Sequence, residues 1–375
     1  MVVFIASNRQ VKRHNTGGLK MKKLKAGIIG AGGIAQVAHI PNLRKMKDVE
    51  LVAISDPNVL KLEAVASEFQ IPLKFAKSED LLAEELDFVI ICSPNAYHAS
   101  HAIAAMKSGK HVLCEKPVAM NAKETAKILE TARNTRKIFM VAFVHRFAPH
   151  SKFIKNLASQ GELGEIYHAK TMCLRRRGIP GPGTWFTIKR LSGGGPLIDV
   201  GVHILDLALF LMGCPRPKTV LATTCTKFNR SITDGGWPPL KTRIGDRAGR
   251  TFDVEDFAAG FITFQNGSSL MLETTWAANC EPALTLDLFG TKAGVRFASG
   301  DEKPVKVFGE IEGILTDSVP KLQEADPYQE EIAHFVECVR EGKKPLTSPI
   351  EILTTAKIIE AFYRSAETGR PLTIG

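Results

Sequence analysis

Residues 24–35, LKAGIIGAGGIA, decide how the first part of this chain folds. Residues 24–29 read as a short apolar strand, and the glycines after them as a turn into a helix. Gly30, Ala31, Gly32, Gly33, Ile34 and Ala35 spell a GxGxxA pattern. Gly30 permits the tight turn and Gly32 lets backbone approach a pyrophosphate. The small Ala35 lets helix and strand pack closely, with the helix N-terminus facing the phosphate charge. Asp56 ends the next apolar strand, 26 residues after Gly30. A carboxylate there accepts hydrogen bonds from the ribose hydroxyls of NAD and repels a 2′-phosphate. Pro57 and Asn58 place no arginine beside it, which favours NAD, while Lys61 a turn later keeps NADP as the alternative. The same residues also fit a purely structural turn with Asp56 capping a loop. What favours the dinucleotide is the setting, a turn between a strand and a helix at the start of a βαβ unit.

The pattern continues outward. "QVAHIPNLRKMKDV" reads as a helix ending near Pro41, "ELVAISDPN" as a second strand and "VLKLEAVASEFQI" as a helix. "DFVIICSPNAYH", "HVLCEKP" and "IFMVAFVHRF" read as further strands, separated by helices. Continuously apolar strands alternating with helices are the mark of a parallel sheet covered on both faces. The fold class is therefore α/β: an N-terminal doubly wound parallel sheet over residues 21–146. Ligands of such sheets lie beyond the carboxyl ends of the strands. That places Ser93, Pro94, Asn95 and His98, then Glu115 and Lys116, where a dinucleotide would lie.

Past residue 146 the rhythm changes. A helix at 150–160 leads to "GELGEIYHAKTMCLRRRG" and a Gly/Pro loop, "GIPGPGTW". Strand-rich segments follow, with "QNGS" and "GTKAG" as hairpin turns. Residues 147–348 are expected to form an α+β domain with an open, mostly antiparallel sheet. The last helix and tail, 349–375, are expected to pack back on the first domain. Residues 229–253 read as a long surface loop and residues 1–20, before Met21, as a flexible extension.

Composition narrows the classes. The chain has 375 residues, 44% hydrophobic and 23% charged, an ordinary globular balance. The net charge of +10 owes much to Lys12, Arg13, Lys20, Lys22, Lys23 and Lys25, so nucleic acid is not expected as a partner. No stretch reaches the ~18 uninterrupted apolar residues of a membrane span. Seven cysteines without a CxxC pair indicate neither a zinc site nor a disulfide scaffold and suggest a reducing, cytoplasmic setting.

Within "GGGPLIDVGVHILDLALFLMG", residues 193–213, Asp199, His203 and Asp206 sit at spacings of four and three. At about 100° per residue they share one helix face, within roughly 60°. An unpaired buried carboxylate is costly, so this polar seam in an apolar helix needs a reason. Asp206 is assigned to a neighbouring basic residue or backbone group. No third ligand of metal spacing is evident, so no metal is expected.

At this point the sequence resembles a known family, the glucose–fructose oxidoreductase, inositol dehydrogenase and rhizopine-catabolism (Gfo/Idh/MocA) oxidoreductases. The resemblance rests on "GIIGAGGIAQVAH", "CSPNAYHA", "CEKPVA", "FVHRFAP" and "GGGPLIDVGVHILDL", in that order. It implies a Rossmann domain, and a second domain whose open sheet joins subunits into a homodimer or homotetramer. It also implies Lys116, Asp199 and His203 as the catalytic set. The expected activity is hydride transfer between NAD(P) and a secondary alcohol or ketone of a sugar, cyclitol or sugar-derived acid. Such chemistry needs a proton acceptor with a suitable pKa, and free histidine has one. His203 is assigned as acid/base, Lys116 as the group polarising the reacting oxygen and Asp199 as the orienting carboxylate, with the lysine and histidine roles exchangeable. His145, Arg177 and Trp185 are candidate substrate contacts; Arg175 and Arg176 share the charge run with Arg177, and Arg146 reads as structural. The alternatives are an NAD-dependent glycoside hydrolase and a dinucleotide-sensing regulator.

Overall fold

The computed structural model describes residues 22–181, 184–229 and 251–375. The expected extension at 1–20 and nearly all of the 229–253 loop lie outside the described residues. Strands β1 (Leu24–Ile29), β2 (Val49–Ser55), β3 (Leu73–Phe75), β4 (Phe88–Ile91), β5 (His111–Cys114) and β6 (Phe139–Val141) form one parallel sheet in the order 3-2-1-4-5-6. The order reverses between β1 and β4, opening a crevice at their carboxyl ends. β3 escapes the periodicity because three residues carry no repeat.

The helix after the glycine turn does not end at Pro41. A π turn over Ala35–His39 runs into α1 (Ile40–Lys45). Proline lacks an amide hydrogen and clashes with the carbonyl four residues back. Here it occupies the first turn of the α-helical part, where no donor is required. Helices α2 (Val59–Glu68), α3 (Ser78–Ala83), α4 (His98–Lys107) and α5 (Ala122–Thr135) complete the layers. Asn58 and Asn121 cap α2 and α5 by accepting from the amides of Lys61 and Glu124.

The second domain begins with α6 (Pro149–Ser159) and β7 (Ile166–Leu174). Short α7 (Lys189–Ser192), a π turn (Leu197–Gly201) and α8 (Val202–Leu211) follow. Then come β8 (Pro217–Cys225), β9 (Phe257–Phe264), β10 (Ser269–Thr275), β11 (Ala283–Gly290), β12 (Gly294–Ala298), β13 (Val305–Ile311) and β14 (Ile314–Ser318). With terminal β15 (Leu372–Thr373) they form a nine-stranded sheet, order 14-13-12-11-7-10-9-8-15, antiparallel except for β7 beside β10. β13 falls on the apolar stretch PVKVFG that reads as a strand, whereas β14 gave no sequence signal; Ile314 and Leu315 are exposed rather than alternating. One sheet face buries Val220, Ile262, Leu270, Leu272, Leu286 and Leu288; the other leaves Leu221, Phe261, Met271 and Phe289 exposed.

The run from Lys189 to Leu211 is long and apolar enough to cross a bilayer by length and composition, with mean hydropathy 1.6. Yet 89% of that window is buried inside the protein, as befits a core helix shared by both domains.

The chain's end departs from the expected division. Helix α9 (Pro327–Glu341), placed above in the second domain, returns to the first, where Ile332, Phe335 and Val336 enter the core and Phe335 meets Phe88 edge-on at 5.4 Å. Burying such a ring contributes about 2–3 kcal/mol, which no exposed position on the second sheet offers. Helix α10 (Pro349–Thr368) lies chiefly on the second sheet: Ala222 N donates to Ser365 Oγ, and Phe362 fills the space that Gly260 leaves beside it. It touches the first domain through Glu360, which accepts from Ala122 N at the start of α5.

Candidate active site

A cleft of about 310 Å³ opens where the carboxyl ends of β4 and β5 meet the second domain. Ile34, Ser93, Asn95, His98, Glu115 and Lys116 line it from the first domain, with His145 from the segment after β6. Trp185, Asp199 and His203 line it from the second.

The glycine turn has the shape of a dinucleotide cradle. Gly30 adopts φ +101°, and a Cβ there would lie 2.7 Å from the Cys92 carbonyl, so only glycine fits. A Cβ on Gly32 would meet only Cys92 O, at 3.7 Å. The protein itself therefore does not require that glycine, and the bare backbone remains open to a ligand. The helix begins at Gly33, presenting its N-terminus to the same space. Asp56 Oδ2 accepts from Ala31 N and Oδ1 from Asn58 N, each at 2.9 Å, which fixes the carboxylate beside the turn. Each oxygen keeps a lone pair for a ribose hydroxyl. Lys61 Nζ stands 4.0 Å from Asp56 Oδ2. These residues fit a nicotinamide dinucleotide.

Across the cleft, Lys116 Nζ donates to Asp199 Oδ1 at 3.0 Å and also to the Asp199 carbonyl oxygen. Trp276 Nε1 donates to Asp199 Oδ2 at 2.9 Å. Burial pushes the Asp199 carboxyl up, but the charges of Lys116 and then Arg175 outweigh it and hold it below the usual range. Asp199 lies within the π turn and His203 in the first turn of α8, so the seam is not one regular helix face. Such π turns often mark functional positions in helices. His203 packs edge-on against His145 at 5.0 Å, and its buried Nδ1 has no hydrogen-bond partner among the described residues. Its pKa is not near neutrality as free histidine suggested. Burial, then the charges of Lys116, His145 and Arg175, holds it well below its ordinary value. Burial, followed by His150 and Lys116, lowers His145 to about 4.

Several residues expected at the cofactor are committed to the protein. Glu115 Oε1 is 2.7 Å from His39 Nε2 and Oε2 accepts from Lys116 N, so it braces the base of Lys116. Burial raises the Glu115 carboxyl, but the His39 hydrogen bond and nearby positive charges more than offset this and hold it low. His98 places Nδ1 2.6 Å from Pro117 O and Nε2 2.8 Å from Ser93 O, tying the ends of β4 and β5 together. Asn95 Nδ2 donates to Ser192 O at 2.7 Å, joining the two domains at the rim. Ser93 Oγ lies 3.0 Å from His101 Nδ1, and Pro94 sits at the end of β4 without lining the cleft.

Asp206 does not face the cleft. Its oxygens accept from Arg146 Nε and Nη2 at 2.8 and 2.7 Å, a bidentate pair buried from solvent. Burial works against the Arg146 charge, but Asp206 and Glu351 outweigh it and raise the pKa. Arg177 also lies away from the cleft. Its guanidinium bonds Ala278 O and Asn279 Oδ1 and covers the Phe228 ring, partners outside the cleft lining that draw it away although it stands only two residues from Arg175. Arg175 lines the cleft in its place. Trp185 lines it while stacking on Phe186, centroids 3.9 Å apart. Tyr328 and Phe186 were not anticipated as cleft residues; Tyr328 comes from the first turn of α9 and Phe186 stands beside Trp185, and neither belongs to a motif. Trp276, at the end of a stretch that reads as strand, was not singled out either, yet it reaches Asp199.

Two family models match the chain. Residues 24–143 match an oxidoreductase family with an NAD-binding Rossmann fold, and residues 152–296 match the GFO/IDH/MocA C-terminal domain. A D-glucoside 3-dehydrogenase of Escherichia coli is 33% identical over 351 residues, covering 92% of this chain and 96% of that protein. A scyllo-inositol 2-dehydrogenase of Bacillus subtilis is 26% identical, covering 94% and 96%. The solved structure of a levoglucosan dehydrogenase with NADH and levoglucosan superposes with a TM-score of 0.82 at 22% identity, covering 94% of this chain and all of that one, and so shares the fold. With both halves matched and the glycine cradle, β5 lysine and α8 histidine in place, the chain belongs to the Gfo/Idh/MocA family of NAD(P)-binding oxidoreductases.

Proposed function

We propose that the protein transfers hydride between NAD, or alternatively NADP, and a secondary alcohol or ketone carbon of a sugar, cyclitol or sugar-derived acid. The observation that carries this is the chain Lys116–Asp199–Trp276 at the tip of β5, with His203 on the same cleft wall. When bound, the nicotinamide accepts or returns the hydride. Lys116, oriented by Asp199, donates a hydrogen bond to the substrate oxygen and stabilises negative charge on it. His203, held neutral, accepts the hydroxyl proton during oxidation and returns it during reduction. Trp276 fixes the far oxygen of Asp199, so that the carboxylate cannot swing away from the lysine. Trp185 offers a ring face to the apolar side of a sugar.

The relatives carry dehydrogenase names, one for the 3-position of D-glucosides and one for scyllo-inositol, which favours this reading over a hydrolase or a regulator. The test is a panel of D-glucosides, inositols, aldoses and sugar acids with NAD and NADP, read by NADH or NADPH absorbance. No turnover with any of them refutes the proposal, and sugar release without net NADH makes the protein a hydrolase. The protein acts as a homodimer or homotetramer joined through the open face of the second sheet, supported by exposed Leu221, Phe261, Met271 and Phe289 across neighbouring strands. Light scattering on the wild type and Phe261→Arg checks this. A reducing, cytoplasmic location is supported by seven free thiols.

A further inference from the structure

Of the three consecutive arginines at 175–177, one reaches the reacting centre. Arg177 is held by Ala278, Asn279 and the Phe228 ring, and Arg176 is exposed. Arg175 folds back across Gly178, donating from Nη1 to the Gly178 carbonyl at 3.1 Å. A Cβ at 178 would stand 2.6 Å from Arg175 Cδ, so this path depends on glycine. A guanidinium has five N–H donors. One is spent on Gly178, and among the described residues no carboxylate pairs with the side chain. The other charged groups on the cleft are engaged: Lys116 with Asp199, and Glu115 with His39.

We infer that Arg175 recognises an anionic group, a carboxylate or phosphate, carried by the sugar substrate. The inference rests on the dehydrogenase reading above and narrows its substrate class. A planar fork of donors matches the paired oxygens of a carboxylate or phosphate, which a sugar hydroxyl uses poorly. The pyrophosphate of a dinucleotide belongs at the glycine turn of the first domain. Arg175 stands on the second domain, where its charge acts on Asp199 and His203.

The test compares D-glucose with D-glucuronate and D-glucose 6-phosphate, using NAD and the full chain. The expected result is kcat/KM about 10- to 100-fold higher for at least one anionic sugar, through KM. Which anion gains identifies the carboxylate or the phosphate as the source. In Arg175→Gln the anionic-to-neutral ratio collapses towards one. Arg175→Lys recovers only part of it, because an ammonium keeps the charge but loses the fork. Gly178→Ala, which displaces the side chain without removing it, lowers the ratio too. Equal rates on neutral and anionic sugars in the wild type, or a ratio unchanged in Arg175→Gln, overturn the inference while leaving the dehydrogenase reading intact. Should none of the sugars turn over, calorimetric titration of the same three into the NADH complex decides. Tighter binding of an anionic sugar, lost in Arg175→Gln, supports the inference, and equal or absent binding overturns it. NADH fluorescence and thermal melting of each variant establish that the fold and cofactor site persist.

Discussion

Lys116 Nζ sits 3.0 Å from Asp199 Oδ1, and the two residues belong to different domains. The lysine ends a strand of the parallel sheet, and the aspartate lies in the π turn that starts the central helix of the second domain. Closing this pair at 13–14% exposure aligns the two halves of the site. The Asn95 bond to Ser192 reinforces the same junction.

Removing either partner of the chemistry should stop turnover without emptying the cofactor site. Lys116→Ala and His203→Ala are each expected to lower kcat by about 100- to 10,000-fold. NADH affinity, followed by fluorescence titration, should change little. If both variants turn over normally, the roles given to these residues are wrong.

Gly30 and Gly32 should separate folding from cofactor binding. Gly30→Ala forces a positive φ onto a side chain that also strikes the Cys92 backbone, so melting should fall by an equivalent of about 1–3 kcal/mol. Gly32→Ala meets only one atom at ordinary contact distance, so melting should hold while NADH affinity drops. Unchanged affinity in a folded Gly32→Ala would remove the cradle from consideration.

Asp56→Ala should weaken NAD more than NADP, because it removes both the ribose acceptor and the charge that opposes a 2′-phosphate. The ratio of dissociation constants for NADH and NADPH is the readout, and a constant ratio refutes the assignment.

Acid should destabilise the protein through His145. Its folded pKa of about 4 lies below the ordinary 6.5, so the unfolded chain binds more protons between those values. The stabilisation is complete above about 6.5 and is lost as pH falls towards 4, amounting to about 3 kcal/mol at most. His145→Asn should flatten the melting temperature against pH in that window. Parallel curves would show that His145 does not titrate as described.

Glu331 has the opposite sign. It is fully buried, neither carboxylate oxygen has a hydrogen-bond partner among the described residues, and burial, then the charges of Glu115 and Asp206, pushes its pKa well up. The folded state therefore keeps a proton that the unfolded state loses, and stability declines as pH rises above about 4.3. Glu331→Gln, a neutral near-isostere, should match the wild type at pH 4.5 and melt higher at pH 9. A variant that melts lower at pH 9 would refute a protonated Glu331.

The parallel sheet, the glycine turn and the positions of Lys116, Asp199 and His203 were legible because each rests on short-range pattern. Apolar runs, turn glycines and residues next to a strand end are set by neighbours within a few positions. The pairing of Asp206 with a basic residue was legible in kind, since a buried carboxylate that stays charged is costly without a partner. The choice of Arg175 over Arg177 was not, because strand alternation would give residues at i and i+2 the same side, and what separates them is packing against partners of Arg177 that lie about a hundred residues on. Nor was the break of the helical seam by the π turn.

From its sequence alone this chain is a doubly wound nucleotide-binding sheet joined to an open-sheet domain, because periodicity and turn chemistry act locally. Only the tertiary structure decided that Trp276 holds Asp199, that α9 returns to the first domain, and that burial and neighbouring charges hold the pKa of His203 below its ordinary value. Those outcomes depend on burial and on charges brought together from distant parts of the chain, and no local pattern encodes either.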